Sequence, residues 1–157
     1  KNRDILETIT QLNELISETT DANLYVTSFT AIIDTAEKTI RYINSGHNSP
    51  FIIRGEDVLT LDEGTLVLGM FPLVPYEIHQ KSLADGDILV LFTDGVVEAE
   101  NVEEEQFTTE RFIELVKTNR HESAETIKKR IIDELKQFTR QEHFTDDVTF
   151  MIIKLDP

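Results

Sequence analysis

ILVLFTDGVVEAEN, residues 88–101, opens on an unbroken run of strand formers and stops at an acidic residue followed by glycine. A continuous apolar run of this length, rather than an alternating one, reads as a strand buried on both faces. Asp94 then falls where the strand ends, and Gly95 lets the backbone turn. A carboxylate in that place either caps the next turn or points at a metal or substrate. A second acidic pair, Asp146 and Asp147, stands just ahead of another strand-like run, VTFMIIKL. Two acidic strand ends in one small domain suggest a site for a hard cation.

Composition sets the bounds. A chain of 157 residues is most simply one domain, long enough to bury about 70% of its unfolded surface. It holds no cysteine, which excludes disulfides, thiolate ligands and a cysteine nucleophile. Zinc is thereby disfavoured, and oxygen-ligated magnesium or manganese favoured. The net charge of −15 argues against nucleic acid and against anionic membranes as partners. No apolar stretch approaches the roughly 20 residues of a membrane span, and the N-terminus has no signal-like pattern. The cytoplasm is the expected compartment. Because the chain opens on Lys1 rather than Met, it is expected to be a piece of a longer protein.

Working outward, residues 4–16 carry Ile5, Ile9, Leu12 and Ile16 at helical spacing, which predicts a helix with one buried stripe, ending near residues 19–21. LYVTSFTAIID (24–34) reads as a strand, and AEK turns into a second over 39–44, giving an antiparallel hairpin. SGHNSP is a turn and FIIRG a short strand; residues 58–61 and 66–68 are edge strands or extended loop. Residues 78–83 lead through the tight turn ADGD into the buried strand. The period then changes. Phe112, Leu115 and Val116 share one helical face, with Thr108 or Thr109 as N-cap and Glu110 in the first turn. Ile127, Ile131, Leu135 and Phe138 mark a second helix capped by Ser123, and a strand over 148–155 follows. Segregated strands and helices mean α+β, with helices on antiparallel sheet layers. The acidic loop 98–106 reads as solvated surface.

The motifs have bland alternatives. INSGHNSP (43–50) is made of turn formers and needs no chemistry. His47 is either a ligand or proton shuttle or a turn element tied to its neighbours. His79, His121 and His143 have no partner at metal-binding spacing. Asp-Gly is common at turns, and the acids of FTDDVT can simply solubilise a loop. Yet two adjacent carboxylates repel unless a cation or donor offsets them.

Taken in order, YVTSFTAIIDTAEKTIRYINSGHNSPFII, LVLGM, SLADGDILVLFTDGVVEAEN and DDVTFMIIKL resemble the SpoIIE/RsbU-type serine phosphatases, the bacterial branch of the metal-dependent PPM (PP2C-like) phosphatases. The resemblance runs from about residue 12 to residue 155. It implies an α/β/β/α sandwich, with two sheets face to face and helices outside. It also implies two divalent cations, Mn2+ or Mg2+, that bind a phosphoserine and activate a water between them, with no covalent enzyme intermediate. By this resemblance Asp94 and Asp146 are metal ligands, Asp147 supports the strand start by hydrogen bonding, and Gly95 allows close backbone approach. Gly46, His47 and Asn48 match the family's GHN turn and read as support rather than ligands. The implied substrate is a phosphoprotein, an anti-anti-sigma (STAS) factor in bacterial signalling and sigma-factor regulation.

The departures also carry expectations. The GD strand end and DxSGKG-like segment that complete the family's metal pair have no counterpart in residues 1–24, where Asp4 lies early in a helix and Asp21 in a polar turn. Residues 1–157 are therefore expected to be a single partial domain, the C-terminal two-thirds, incomplete at the N-terminus. Two carboxylates alone should bind metal weakly or not at all, and the chain alone should be inactive. Apolar surface left uncovered by the missing segment favours a homodimer or element swapping. Thr108 stands where the family has glycine (FTTERF for FGxERL). The alternative reading is a non-catalytic interaction or dimerisation module on the same scaffold.

Overall fold

The computed structural model describes residues 4–19, 24–140, 144 and 146–156. In chain order the elements are α1 (Ile5–Thr19), β1 (Ser28–Asp34), β2 (Thr39–Ser45), β3 (Phe51–Arg54), β4 (Asp57–Thr60) and β5 (His79–Ser82). There follow β6 (Ile88–Phe92), α2 (Asp94–Val97), α3 (Thr109–Thr118), α4 (Ala124–Thr139) and β7 (Phe150–Lys154). The α+β class with antiparallel sheets is borne out. The chain divides into two compact units, one of residues 1–47 and 62–83, the other of 48–61 and 84–157.

In the first unit a three-stranded sheet runs β1-β2-β5, every pair antiparallel. The expected hairpin forms with Asp34 opposite Thr39, and the Asp34 carboxylate accepts from the amides of Ala36 and Glu37 to close the turn. The first strand is shorter than the sequence suggested. It starts at Ser28, and Val26 instead makes an isolated bridge to Leu68. Ile5 and Ile9 of α1 pack with Ile43, Leu68 and Tyr76. The expected stripe fails at its third turn, where Leu12 is exposed and Asn13 is buried. The reason is polar. Asn13 Nδ2 donates to the carbonyls of Phe71 (2.9 Å) and Pro72 (3.2 Å), and its Oδ1 accepts from Gly69 N (2.9 Å) and Tyr76 Oη (3.0 Å). With all its groups paired, a buried amide holds the 69–76 segment to the helix. Asp4 caps α1, accepting from Leu6 N; Asp21 lies outside the described residues.

In the second unit a four-stranded antiparallel sheet runs β4-β3-β6-β7. Strand β6 is buried on both faces, as its apolar run implied: Leu89 and Val90 point oppositely and both are shielded. Phe51, Ile53, Ile88, Val90 and Phe92 form one core with Phe112 and Val116 of α3 and Ile127, Ile131 and Leu135 of α4. The Phe51, Phe92 and Phe112 rings meet edge-on or tilted at 5.3–5.9 Å, the arrangement their quadrupoles favour. Both helix starts follow the sequence. Thr108 accepts from Arg111 N and Ser123 from Thr126 N (3.2 Å). Thr108 does so at φ 72°, ψ 155°, a region in which glycine is at home and a β-branched residue is strained. The ADGD turn is held by buried Asp87, which accepts a fork from Arg54 (2.9 and 2.7 Å) and the amide of Ala84 (2.8 Å).

Candidate metal centre

Strands β6 and β7 are neighbours, with Phe92 opposite Phe150. Because they run antiparallel, the residues just after β6 and just before β7 share one end of the sheet. Asp94 and Asp146 therefore stand at adjoining strand ends although 52 positions separate them in sequence. Beyond the last strand pair, contact continues through Thr93. Its amide donates to the Thr149 carbonyl (2.9 Å). Its hydroxyl accepts from Thr149 N (3.3 Å) and faces the carbonyls of Thr149 (3.3 Å) and Asp147 (3.5 Å).

Gly95 requires a correction. The sequence reading has it turning the backbone after the strand, but the chain instead enters the short helix α2, with Asp94 in its first position. The glycine is needed for space. A Cβ there would lie 2.4 Å from the carbonyl oxygen of Asp147, too close for any side chain. The bare backbone of Gly95 thus lets the 147–148 segment approach closely.

Each candidate ligand has one oxygen engaged locally. Asp94 Oδ1 accepts from Gly95 N (2.9 Å) and Asp146 Oδ1 from Asp147 N (2.7 Å). Both side chains are exposed. Against Asp146 and the Gly95 backbone lies a cavity of about 100 Å³, lined also by Glu98, Glu100, Thr139 and Phe144, with no basic side chain among the described residues that line it. Sequence reading passed over Glu98 and Glu100 as solvated loop, and gave Thr93 no role of its own. Among the described residues, no group of three or more His, Asp or Glu side chains stands where it could hold a metal ion.

The GHN turn is held by its own local contacts. Gly46 adopts φ 67° with Val67 packed where a Cβ would lie, and Asn44 clamps the turn by accepting from His47 N (2.8 Å) and donating to its carbonyl (3.1 Å). The His47 ring pairs through Nδ1 with the Thr27 hydroxyl (3.2 Å). Gly46 and His47 belong to the first unit, while Asn48, Asp94, Asp146 and Asp147 belong to the second. His79 lies tilted against the Tyr42 ring, and His143 is outside the described residues.

The family model described as Stage II sporulation protein E (SpoIIE) matches residues 1–156. The chain belongs to the SpoIIE family. Phosphoserine phosphatase RsbU of Bacillus subtilis is 26% identical over 156 residues, covering 94% of this chain and 44% of RsbU. The SiaA-PP2C domain of Pseudomonas aeruginosa superposes with a TM-score of 0.82 at 17% identity, over 94% of this chain and 59% of that one. The manganese-presoaked phosphatase domain of B. subtilis SpoIIE gives 0.64 at 21%, over 99% and 68%. At these identities the solved structures establish the fold, PP2C-like. This SpoIIE-family chain spans between 18% and 44% of the length of the curated relatives it matches.

Proposed function

We propose that this chain is the greater part of a metal-dependent serine phosphatase domain acting on a phosphoserine of a bacterial signalling protein, an anti-anti-sigma (STAS) factor by resemblance. The observation that supports the reading is that the segments carrying Asp94 and Asp146 lie at adjoining ends of β6 and β7, joined through Thr93 and the close approach of Gly95 to Asp147. Two exposed carboxylates, each with one oxygen tied to a backbone amide, suit a hard divalent cation whose remaining positions are filled by water. Asp94 and Asp146 would hold Mn2+ or Mg2+. Such ions, two in a complete domain, supply positive charge to the phosphoryl oxygens and make water more acidic. The residues of this chain contribute the carboxylates and the fixed spacing of their backbones. Asp147, with its carbonyl against Gly95, and the Gly46–His47–Asn48 turn act as support.

With only these two acids, divalent cations should bind with a dissociation constant on the order of 1 mM, and Asp94→Asn should abolish that binding in calorimetric titration. The chain alone should not hydrolyse p-nitrophenyl phosphate with Mn2+. Robust turnover lost in Asp94→Asn would refute the incomplete-site reading, and the absence of any cation binding would refute the site. The second reading, a scaffold serving interaction or dimerisation without catalysis, draws on there being, among the described residues, no group of three or more His, Asp or Glu placed to hold a metal ion. Cation binding that depends on both Asp94 and Asp146 separates the two.

A further inference from the structure

Helices α3 and α4 turn Phe112, Val116, Ile127, Ile131 and Leu135 inward, yet their outer groove is not closed by polar side chains. An opening of about 410 Å³ there is floored by Phe107, Leu115 and Phe138 and walled by Glu114, Thr118 and Glu134. The floor is rigid. Phe107 and Phe138 meet edge-to-face at 5.3 Å, and the Arg111 guanidinium lies 4.8 Å over the Phe138 ring. A second opening of about 240 Å³ shares Glu134 and Phe138 and continues toward Val102 and Glu103, with Val102 61% exposed. The two adjoining openings, the first mainly apolar and the second mixed, carry Glu103, Glu114 and Glu134 on a chain of net charge −15. Of its cations, Arg111 is engaged with an aromatic face and Arg140 stands at one end.

We infer that the α3–α4 groove is a docking surface for a basic amphipathic helix of a partner protein. Apolar anchors of that helix would seat on Leu115 and Phe138, and its Lys or Arg residues would meet Glu114, Glu134 and Glu103. Charge complementarity selects this occupant. The described lining sets three carboxylates against the guanidiniums of Arg111 and Arg140, a net negative charge that an acidic helix would meet unfavourably, whereas a basic one is also steered in by the field of the whole chain. Recognition by anchors at helical spacing in a groove is an established mode of binding. This site is independent of the proposed metal centre, and its test does not depend on catalysis.

The test is an amide NMR titration of the chain with a synthetic peptide of about four helical turns, Lys on one face and Leu on the other. Shifts should concentrate on residues 107–118 and 134–140. The double substitution Glu114→Lys, Glu134→Lys, at two exposed positions, should weaken binding about tenfold, as should Leu115→Gln. Glu7→Lys with Glu14→Lys, on the exposed side of α1, should leave binding unchanged. The inference is overturned by an absence of binding, by shifts spread over the acidic surface, by equal loss from the α1 reversals, or by equal affinity for a scrambled peptide of the same composition.

Discussion

Gly95 shows how much one missing side chain can fix. With the Asp147 carbonyl 2.4 Å from the position of a Cβ, Gly95→Ala must push apart the segments that carry both candidate ligands. Overpacking of this kind should cost about 2–3 kcal/mol in chemical denaturation and weaken cation binding at the same time. In the first unit, Glu63 lies between the Lys81 ammonium and the Tyr42 hydroxyl. The hydrogen bond from Lys81, and after it that from Tyr42, holds the Glu63 carboxyl at about 2. Burial, reinforced by the bond to Glu63, pushes the Tyr42 phenol up. A carboxyl lowered on folding adds stability that is complete above its unfolded value of 4.5 and is lost as pH falls from there toward 2. Glu63→Gln should therefore flatten the acid limb of the stability curve between those values, measured by thermal melting across pH. The effect is moderated by solvent, since the Glu63 side chain is 39% exposed.

Elements were legible to different depths. The buried strand β6, the β1–β2 hairpin and the Ser123 cap followed from periodicity and turn chemistry, because local sequence dictates them. The α1 stripe was misread at Asn13 because what buries that amide is its pairing with carbonyls some 58 residues away, which no local period contains. The same limit applies to the candidate site. Asp94 and Asp146 stood out as acids at strand ends, whereas the Thr93 staple and the fit of Gly95 against Asp147 depend on which strands become neighbours. Asn13→Ala should expose the consequence. Removing four hydrogen bonds to a buried amide strips Gly69 N of its side-chain acceptor and leaves the Tyr76 hydroxyl only a long contact to the Val67 carbonyl (3.4 Å), a loss of about 3 kcal/mol. Hydrogen exchange should quicken over residues 67–76 before it does in β6.

For the whole molecule, the first unit leaves Leu15, Leu24, Tyr25, Leu66, Phe71 and Leu73 exposed, with Leu73 at 85%. Asn13 and the Val26–Leu68 bridge draw these segments together, and apolar exposure on this scale is a liability for association. Light scattering at micromolar concentration should find a dimer or larger species, and Leu73→Lys with Phe71→Lys should shift it toward monomer. A strictly monomeric wild type would count against this. Neither unit is a continuous piece of chain, because residues 48–61 leave the first before 62–83 return to it. Strand β6 also waits for β7, which is made only after both long helices. On a ribosome, the first unit is complete in sequence at residue 83, whereas the second must hold residues 48–61 in waiting until 84–157 follow. The nascent polypeptide can lay β6 on β3 at once but keeps its other, wholly apolar edge open until β7 is made, and that interval is when a chaperone would have most to do.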